Sequence, residues 1–450
     1  MKKTLLTICL VWMCFSLSAQ KIIDLSGKWS FSIDRQDNGE KEKWFSHTLN
    51  DFINLPGSMP EKLKGDEVTA KTQWTGSLYD SSYYYNPYME KYRKEGNIKF
   101  PFFLTPDKHY VGAAWYQKEV NIPADWKGER ILLFLERPHI ETTVWVNGQK
   151  TGMQNSLCVP HQYDITRYVR PGKCTITIRV DNRIKEINVG PDSHSITDQT
   201  QGNWNGIVGR ICLQTTPKTY FDDIQIYPEP EQKLARVKVV IKGAGITKIK
   251  LSAESFNTDK KHIVPAIQQE IKLNKGVTET EMVLPMGNDM LLWDEFHPAL
   301  YKLKAEVTNG KKTEIKEIQF GMRRFEIKGK WFYVNGRKTQ LRGTVENCDF
   351  PLTGYAPMDV ESWERVFRIC RSYGLNHMRF HSFCPPEAAF IAADRVGFYL
   401  QPEGPSWPNH GPKLGLGQPI DKYLMDETIA LTQRIWQLCL LLHVGMRKRT

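Results

Sequence analysis

The chain is predicted to be multidomain and mainly β: two antiparallel sandwiches followed by the first part of a (β/α)8 TIM barrel. Three observations carry this. Short alternating apolar and polar runs, broken by turn residues, fill residues 21–217. A second series fills 218–320, about the hundred residues of an immunoglobulin-like module. From Phe320 the pattern turns to strand followed by helix, which is how such a barrel opens.

In the first block the strands read as KWSFSID, AWYQKEVNIP, RILLFLE, TTVWVNGQ, CTITIRVDN and GRICLQT, and Asn147-Gly148 marks a tight hairpin turn. An insertion from Gly76 to Tyr110 carries Tyr79, Tyr83, Tyr84, Tyr85, Tyr88 and Tyr92. Two readings stay open for it: a sugar-stacking surface, since a tyrosine joins an apolar face to a polar tip, or a loop packed on its neighbours. Strands of the second block lie near DDIQIYPE, ARVKVVIKG, ETEMVLP, ALYKLKAEVTNG and KTEIKEIQF. In the third, Trp331 to Leu341 reads as a strand pair around Asn335-Gly336, and Asp359 to Tyr373 as a helix with Val360, Trp363, Val366, Phe367 and Cys370 on its apolar face.

Bulk properties narrow the field. A length of 450 residues suits about three domains. Residues 1–20 combine two lysines, an apolar run from Leu5 to Leu17 and the small pair Ser18-Ala19, the layout of a secretory signal. No later stretch approaches ~18 consecutive apolar residues, so an exported protein without a transmembrane span is expected, periplasmic or extracellular. Loss of Lys2 and Lys3 with the leader lowers the formal net charge of +11 by two, and the remaining basic residues form no block, which argues against nucleic acid. Cys158, Cys174, Cys212, Cys348, Cys370, Cys384 and Cys439 contain no CxxC pair, so core thiols are expected for most, with one or two disulfides at most. No HExxH, GxSxG, P-loop or GxGxxG occurs, and no metal or organic cofactor is expected.

In order and spacing, LSGKWSF, LPGS, AWYQKEVNIP, ERILLFLERPHIETTVWVNG, YDITRYV and NWNGIVGRICL resemble the amino-terminal sugar-binding jelly roll of glycoside hydrolase family 2, the β-galactosidase, β-glucuronidase and β-mannosidase group. LLWDEFHPALYKLKAEV resembles the end of that family's immunoglobulin-like domain. FGMRRFEIKGKWFYVNGRKTQLRG, HMRFHS and AADRVGFYLQPE resemble the opening strands of its barrel. The resemblance implies a retaining exo-β-glycosidase, β-galactosidase first, with β-glucuronidase or a galacturonidase as alternatives and an oligo- or polysaccharide as partner. One glutamate then protonates the leaving oxygen and a second, about 5 Å away, attacks the anomeric carbon. A non-catalytic carbohydrate-binding protein is the rival reading.

The family places those glutamates on strands four and seven. Residues 321–450 compare with roughly 250 for a whole barrel and yield three strands, so neither glutamate is expected in this stretch and no turnover is expected from it alone. The tail from Gln433 to Thr450 reads as aberrant. Back-translating Val444 to Lys448 and shifting frame gives Gly-Asn-Glu-Glu, which suggests a frameshift just before the acid/base strand.

For substrate contact the resemblance nominates Arg379, whose guanidinium would hold a carboxylate by paired charge-assisted bonds. His381 and Ser382 stand where relatives have the order Ser-His, and Asn347 where galactosidase-like members carry a sugar-binding histidine. Glu403 ends the third strand and Trp407 offers a stacking wall. Asn203, Trp204 and Asn205 match a loop that in relatives reaches the barrel mouth.

Overall fold

The first block folds because its alternating strands put one apolar row inward. In a computed structural model, which describes residues 21–69, 71–76, 82–98, 106–185, 189, 193–198, 202–350, 353–406 and 413–438, that row closes between two antiparallel sheets. One sheet orders its strands Ile22–Asp24, Gly206–Thr216, Arg130–Pro138 and His161–Asp164, with Gly57–Ser58 also paired to Gly206–Thr216. The other has six, in the order Gln149–Asn155, Glu141–Val146, Gly172–Asp181, Ala113–Ile122, Gly27–Asp34 and Asp51–Leu55. Phe31, Tyr116, Val144, Ile176, Ile178, Leu133, Leu135, Ile211 and Leu213 fill the space between, all buried. The Asn147-Gly148 turn joins Glu141–Val146 to Gln149–Asn155 with both residues at positive φ, 50° and 76°, the backbone such a hairpin requires.

The second block departs from expectation in one respect. Leu234–Phe256 and Ile263–Pro285 are single long strands that extend well beyond the segments 235–243 and 279–285 read as strand from the sequence. Gly243 marks a bulge, not an end: the register slips between Gly243 and Gly245 and the strand continues. Its first half pairs with Tyr220–Glu229 and its second with Leu300–Asn309, so one strand links both neighbours within a single five-stranded sheet. Only glycine fits there, because φ is 156° and a Cβ would meet Thr219 Oγ1 at 2.5 Å.

In the third block Gly343–Glu346, His377–Phe380 and Tyr399–Gln401 form a parallel sheet in that order. The helices Val360–Ser372 and Glu387–Val396 make the two connections. Asp359 caps the first, accepting a hydrogen bond from the Ser362 amide at 2.8 Å. Trp363, Phe367, Phe380, Phe390 and Phe398 pack the helices on one face of the sheet. Gly343 and Val345, with Arg379 beside Val345, lie in the alternate register positions.

The last helix, Pro419–Leu438, runs through Gln433–Leu438, where the tail was expected to turn aberrant; Arg434 pairs there with Glu387 at 2.6 Å. Residues 1–20, 407 and 439–450 lie outside the described residues, and with them the leader, Trp407 and the rest of the tail. No described helix is long and apolar enough to cross a membrane. The six described cysteines are all thiols, four of them buried.

Candidate functional site

The carboxyl ends of the parallel strands meet a loop of the first sandwich, and this junction gathers the polar side chains. From the second strand Arg379 donates through Nε to the carboxylate of Glu403, just past the third strand. Both expected residues are thus brought together, as an ion pair that orients each. His381 follows at the strand end, its amide donating to Glu346 O at 2.8 Å. Burial lowers its pKa from the ordinary value, His194 and Arg379 add to this, and Glu403 opposes, so the imidazole is neutral near pH 7.

The first sandwich contributes residues that sequence reasoning missed. His194 Nδ1–H donates to His381 O at 2.8 Å, and the two rings meet edge-on with centroids 4.4 Å apart. Ser195 Oγ donates to Ser382 O at 3.2 Å, and Ser193 Oγ to Pro405 O. Three adjacent residues therefore stitch the sandwich to the ends of two strands. No periodicity marks them; the only sequence signal is a Ser-His-Ser run between strands.

Trp204 is buried at the same junction, stacked on His139 at 4.3 Å and tilted against Tyr355 at 5.6 Å. Tyr355 in turn donates to Glu61 at 2.9 Å. Around them lies a small cavity of about 50 Å³, lined also by Arg137, Cys348 and Phe383. Burial pushes the His139 imidazole down to about 3, so it is neutral. Asn203 and Asn205, by contrast, turn their amides into the sandwich. Asn203 Nδ2 donates to Thr75 Oγ1 and Asn182 O, at 3.1 and 2.9 Å. Asn205 Nδ2 donates to Gly112 O and Val180 O, both at 3.0 Å, while Oδ1 accepts from Tyr116. Both are fully engaged and nearly solvent-free, so the structure gives them a bracing position, not a mouth-lining one. Their alternation with Trp204 explains the split.

Asn347 is exposed beyond the first strand. Its neighbour Glu346 is half-buried overall, but its Oε2 is sealed and finds no hydrogen-bond partner, while Oε1 accepts from the Asp349 amide at 3.2 Å. Burial lifts its carboxyl to about 7, and the backbone amides of 347–349 only partly offset this. Asp349 is raised too, by burial, with His194 pulling it back.

A sign follows for stability. Between pH 4.5 and about 7 the folded chain keeps a proton on Glu346 that the unfolded chain has released. Its contribution is therefore fully present below pH 4.5 and is lost as pH rises through about 7. Glu346→Gln is expected to flatten, in urea melts, the decline in midpoint between pH 5 and 7.5, leaving the part due to Asp349, Glu314 and Glu427, which burial also raises. An unchanged slope contradicts this.

Chemically, the junction offers a fixed guanidinium–carboxylate pair and the His194 and His381 imidazoles, polar groups suited to hydroxyl-rich ligands, while the Trp204 indole is buried against His139 and Tyr355. No group of three or more His, Cys, Asp or Glu side chains that would hold a metal ion is found among the described residues.

Comparison with known proteins decides the family. The model of the glycosyl hydrolases family 2 sugar binding domain matches residues 22–217, and that of glycosyl hydrolases family 2 matches residues 219–323. The chain belongs to glycosyl hydrolase family 2. Among curated members of that family it is similar to a β-galactosidase of Thermoanaerobacter pseudethanolicus, 25% identical over 70% of this chain and 42% of that protein. It is also similar to human β-glucuronidase, 23% identical over 85% of this chain and 57% of that one. The chain thus spans about half the length of these relatives. Among solved structures, a family 2 member from Bacteroides cellulosilyticus superposes with a TM-score of 0.70 over 93% of this chain and 50% of that one, at 19% identity. A β-glucuronidase from Ruminococcus gnavus gives 0.67 over 93% and 64%, also at 19%, so the likeness is one of fold.

Proposed function

We infer that the chain carries the sugar-facing scaffold of an exported, retaining exo-β-glycosidase, β-galactosidase-like in the first instance. Its partner is a terminal β-linked sugar of an oligo- or polysaccharide. The three parallel strands are read as the opening of a TIM barrel, with domains at 21–217, 218–320 and 321–450. The single observation that carries the reading is the junction where His381, with the Arg379–Glu403 pair at the ends of the parallel strands, meets His194 from the sugar-binding sandwich. Barrels place their chemistry at that end of the strands, and sugar sites pair hydrogen-bonding groups with an aromatic wall.

In this reading Arg379 holds and aims Glu403, and the pair fixes the position of whatever carboxylate completes the site. The two glutamates of the retaining mechanism are expected on strands four and seven of the barrel. β-Glucuronidase, the name of several relatives, or β-galacturonidase is the alternative.

The test is a panel of p-nitrophenyl β-galactoside, β-glucuronide, β-galacturonide and β-mannoside, assayed on the protein with a complete barrel. Preference for one of them assigns the sugar. Turnover of none sinks the glycosidase reading and leaves glycan binding by the first sandwich in its place.

A further inference from the structure

The tyrosine-rich excursion of the first sandwich is divided in two by the structure. Its ends are closed by a two-stranded ribbon in which Asp66 and Glu67 pair with His109 and Lys108. Within it, Ser82–Tyr85 and Pro87–Arg93 form two short helical turns. Some tyrosines build these turns: Tyr83 OH donates to Tyr92 O at 3.0 Å, and Arg93 donates back to Tyr83 O. Asn86 caps the second turn through the Tyr88 amide at 2.9 Å, and Asn97 Nδ2 donates to Lys91 O at 2.9 Å. The backbone is therefore braced without the remaining rings. Those rings, Tyr84, Tyr85 and Tyr88, are 59, 73 and 85% exposed. Tyr84 also meets the Tyr83 ring edge-on at 5.1 Å, Tyr85 and Tyr88 stand the most exposed, and a cluster of exposed aromatics marks a contact surface.

What the surface contacts is indicated by where its root lies. Thr75 exchanges backbone bonds with Asp198, donating to its Oδ2 at 2.5 Å and accepting from its amide at 3.1 Å, and its Oγ1 accepts from Asn203 at 3.1 Å. Asp198 and Asn203 belong to the loop that carries His194, Ser195 and Trp204 into the junction with the parallel strands. The excursion and the candidate sugar site are thus rooted on one loop. Asn203, expected to touch sugar, serves this root instead.

We propose that Tyr84, Tyr85 and Tyr88 form an aromatic platform that binds a glycan chain several residues long, holding the body of a polysaccharide whose end enters the junction. Flat rings with hydroxyl tips match the apolar faces and polar rims of successive pyranose units. Lys91, on the same helical turn as Tyr88 and with its Nζ 4.9 Å from the Tyr92 ring, would meet a uronate if the backbone is acidic. The proposal rests on the glycosidase reading for the class of ligand only.

Affinity electrophoresis of the full chain in gels holding soluble β-1,4-galactan or polygalacturonate tests it without any turnover. The wild type is expected to be retarded by at least one of the two, which tells a neutral backbone from an acidic one. The double variant Tyr85→Ala/Tyr88→Ala is expected to bind about tenfold more weakly. Tyr85→Phe/Tyr88→Phe, which keeps both rings, should retain most of the retardation. Thermal melting within ~1 °C of the wild type shows that the fold is kept, and the single alanine variants carry the test if the double variant melts earlier. No retardation of the wild type in either gel, equal retardation of the alanine variants, or loss on the phenylalanine change overturns the proposal. Failure of the aryl-glycoside panel would leave this result standing, and failure here would leave the junction untouched.

Discussion

Trp293→Ala is expected to lower stability by about 3–5 kcal/mol, the range for deleting a fully buried large aromatic. The indole is 1% exposed and sits where the second sandwich meets the parallel-sheet unit. Its Nε1 donates to Asp394 O at 2.8 Å, its ring meets Tyr399 edge-on at 5.8 Å, and Arg323 lies over its face at 5.1 Å. Its carbonyl also accepts from Asn335, in the hairpin that leads into the first parallel strand, at 3.0 Å. Truncation removes packing from two units at once and leaves the Asp394 carbonyl without its indole donor. Trp293→Phe keeps most of the packing and should cost less. Urea unfolding followed by both fluorescence and circular dichroism checks this, because a chain of several units need not unfold in one step. A loss below ~1 kcal/mol would contradict the placement of Trp293 at the seam.

Asp181→Asn is expected to cost a similar amount, about 3–5 kcal/mol, for an electrostatic reason. Asp181 is fully buried at the end of its strand and takes ion pairs from Arg179 at 3.1 Å, Arg183 at 2.7 Å and Lys185 at 3.0 Å. Burial by itself raises its pKa. The hydrogen bonds from Arg183 and the charges of Lys185 and Arg179 outweigh it and hold the carboxyl well below the usual range. With the acid gone, Arg179, itself mostly buried, keeps only Asp37 and Glu141 as partners. The pH dependence has a definite sign. A lowered folded-state pKa gives stability that is present above 3.8 and is lost as pH falls toward the folded value, so the variant should show a shallower acid-side decline. Equal acid limbs in the two proteins would contradict this.

Local chemistry was legible in the sequence where a turn or a cap fixes it. Asn147-Gly148 and Asn335-Gly336 both make the expected hairpins, with positive φ at all four residues, and Asp359 caps the helix read from 359 to 373. The full length of the second block's strands was not legible, because the pairing that carries the chain past Gly243 through a bulge is non-local. The site was legible in its strand-borne half: Arg379 and Glu403, 24 residues apart in sequence, are brought into contact. Its loop-borne half was not. His194 and Ser195 reach partners 187 positions away, and Asn203 and Asn205 differ from Trp204 only in which side of an extended segment they occupy.

The measurement closest to the central claim is kcat/KM for the preferred aryl β-glycoside in Arg379→Ala, made in the protein with a complete barrel. If the Arg379–Glu403 pair aligns the reacting carboxylate, the variant loses at least ~100-fold while its melting temperature stays within a degree or two of the parent. Turnover within about threefold of the parent would show that the junction of sandwich and parallel strands is not where the sugar is cut.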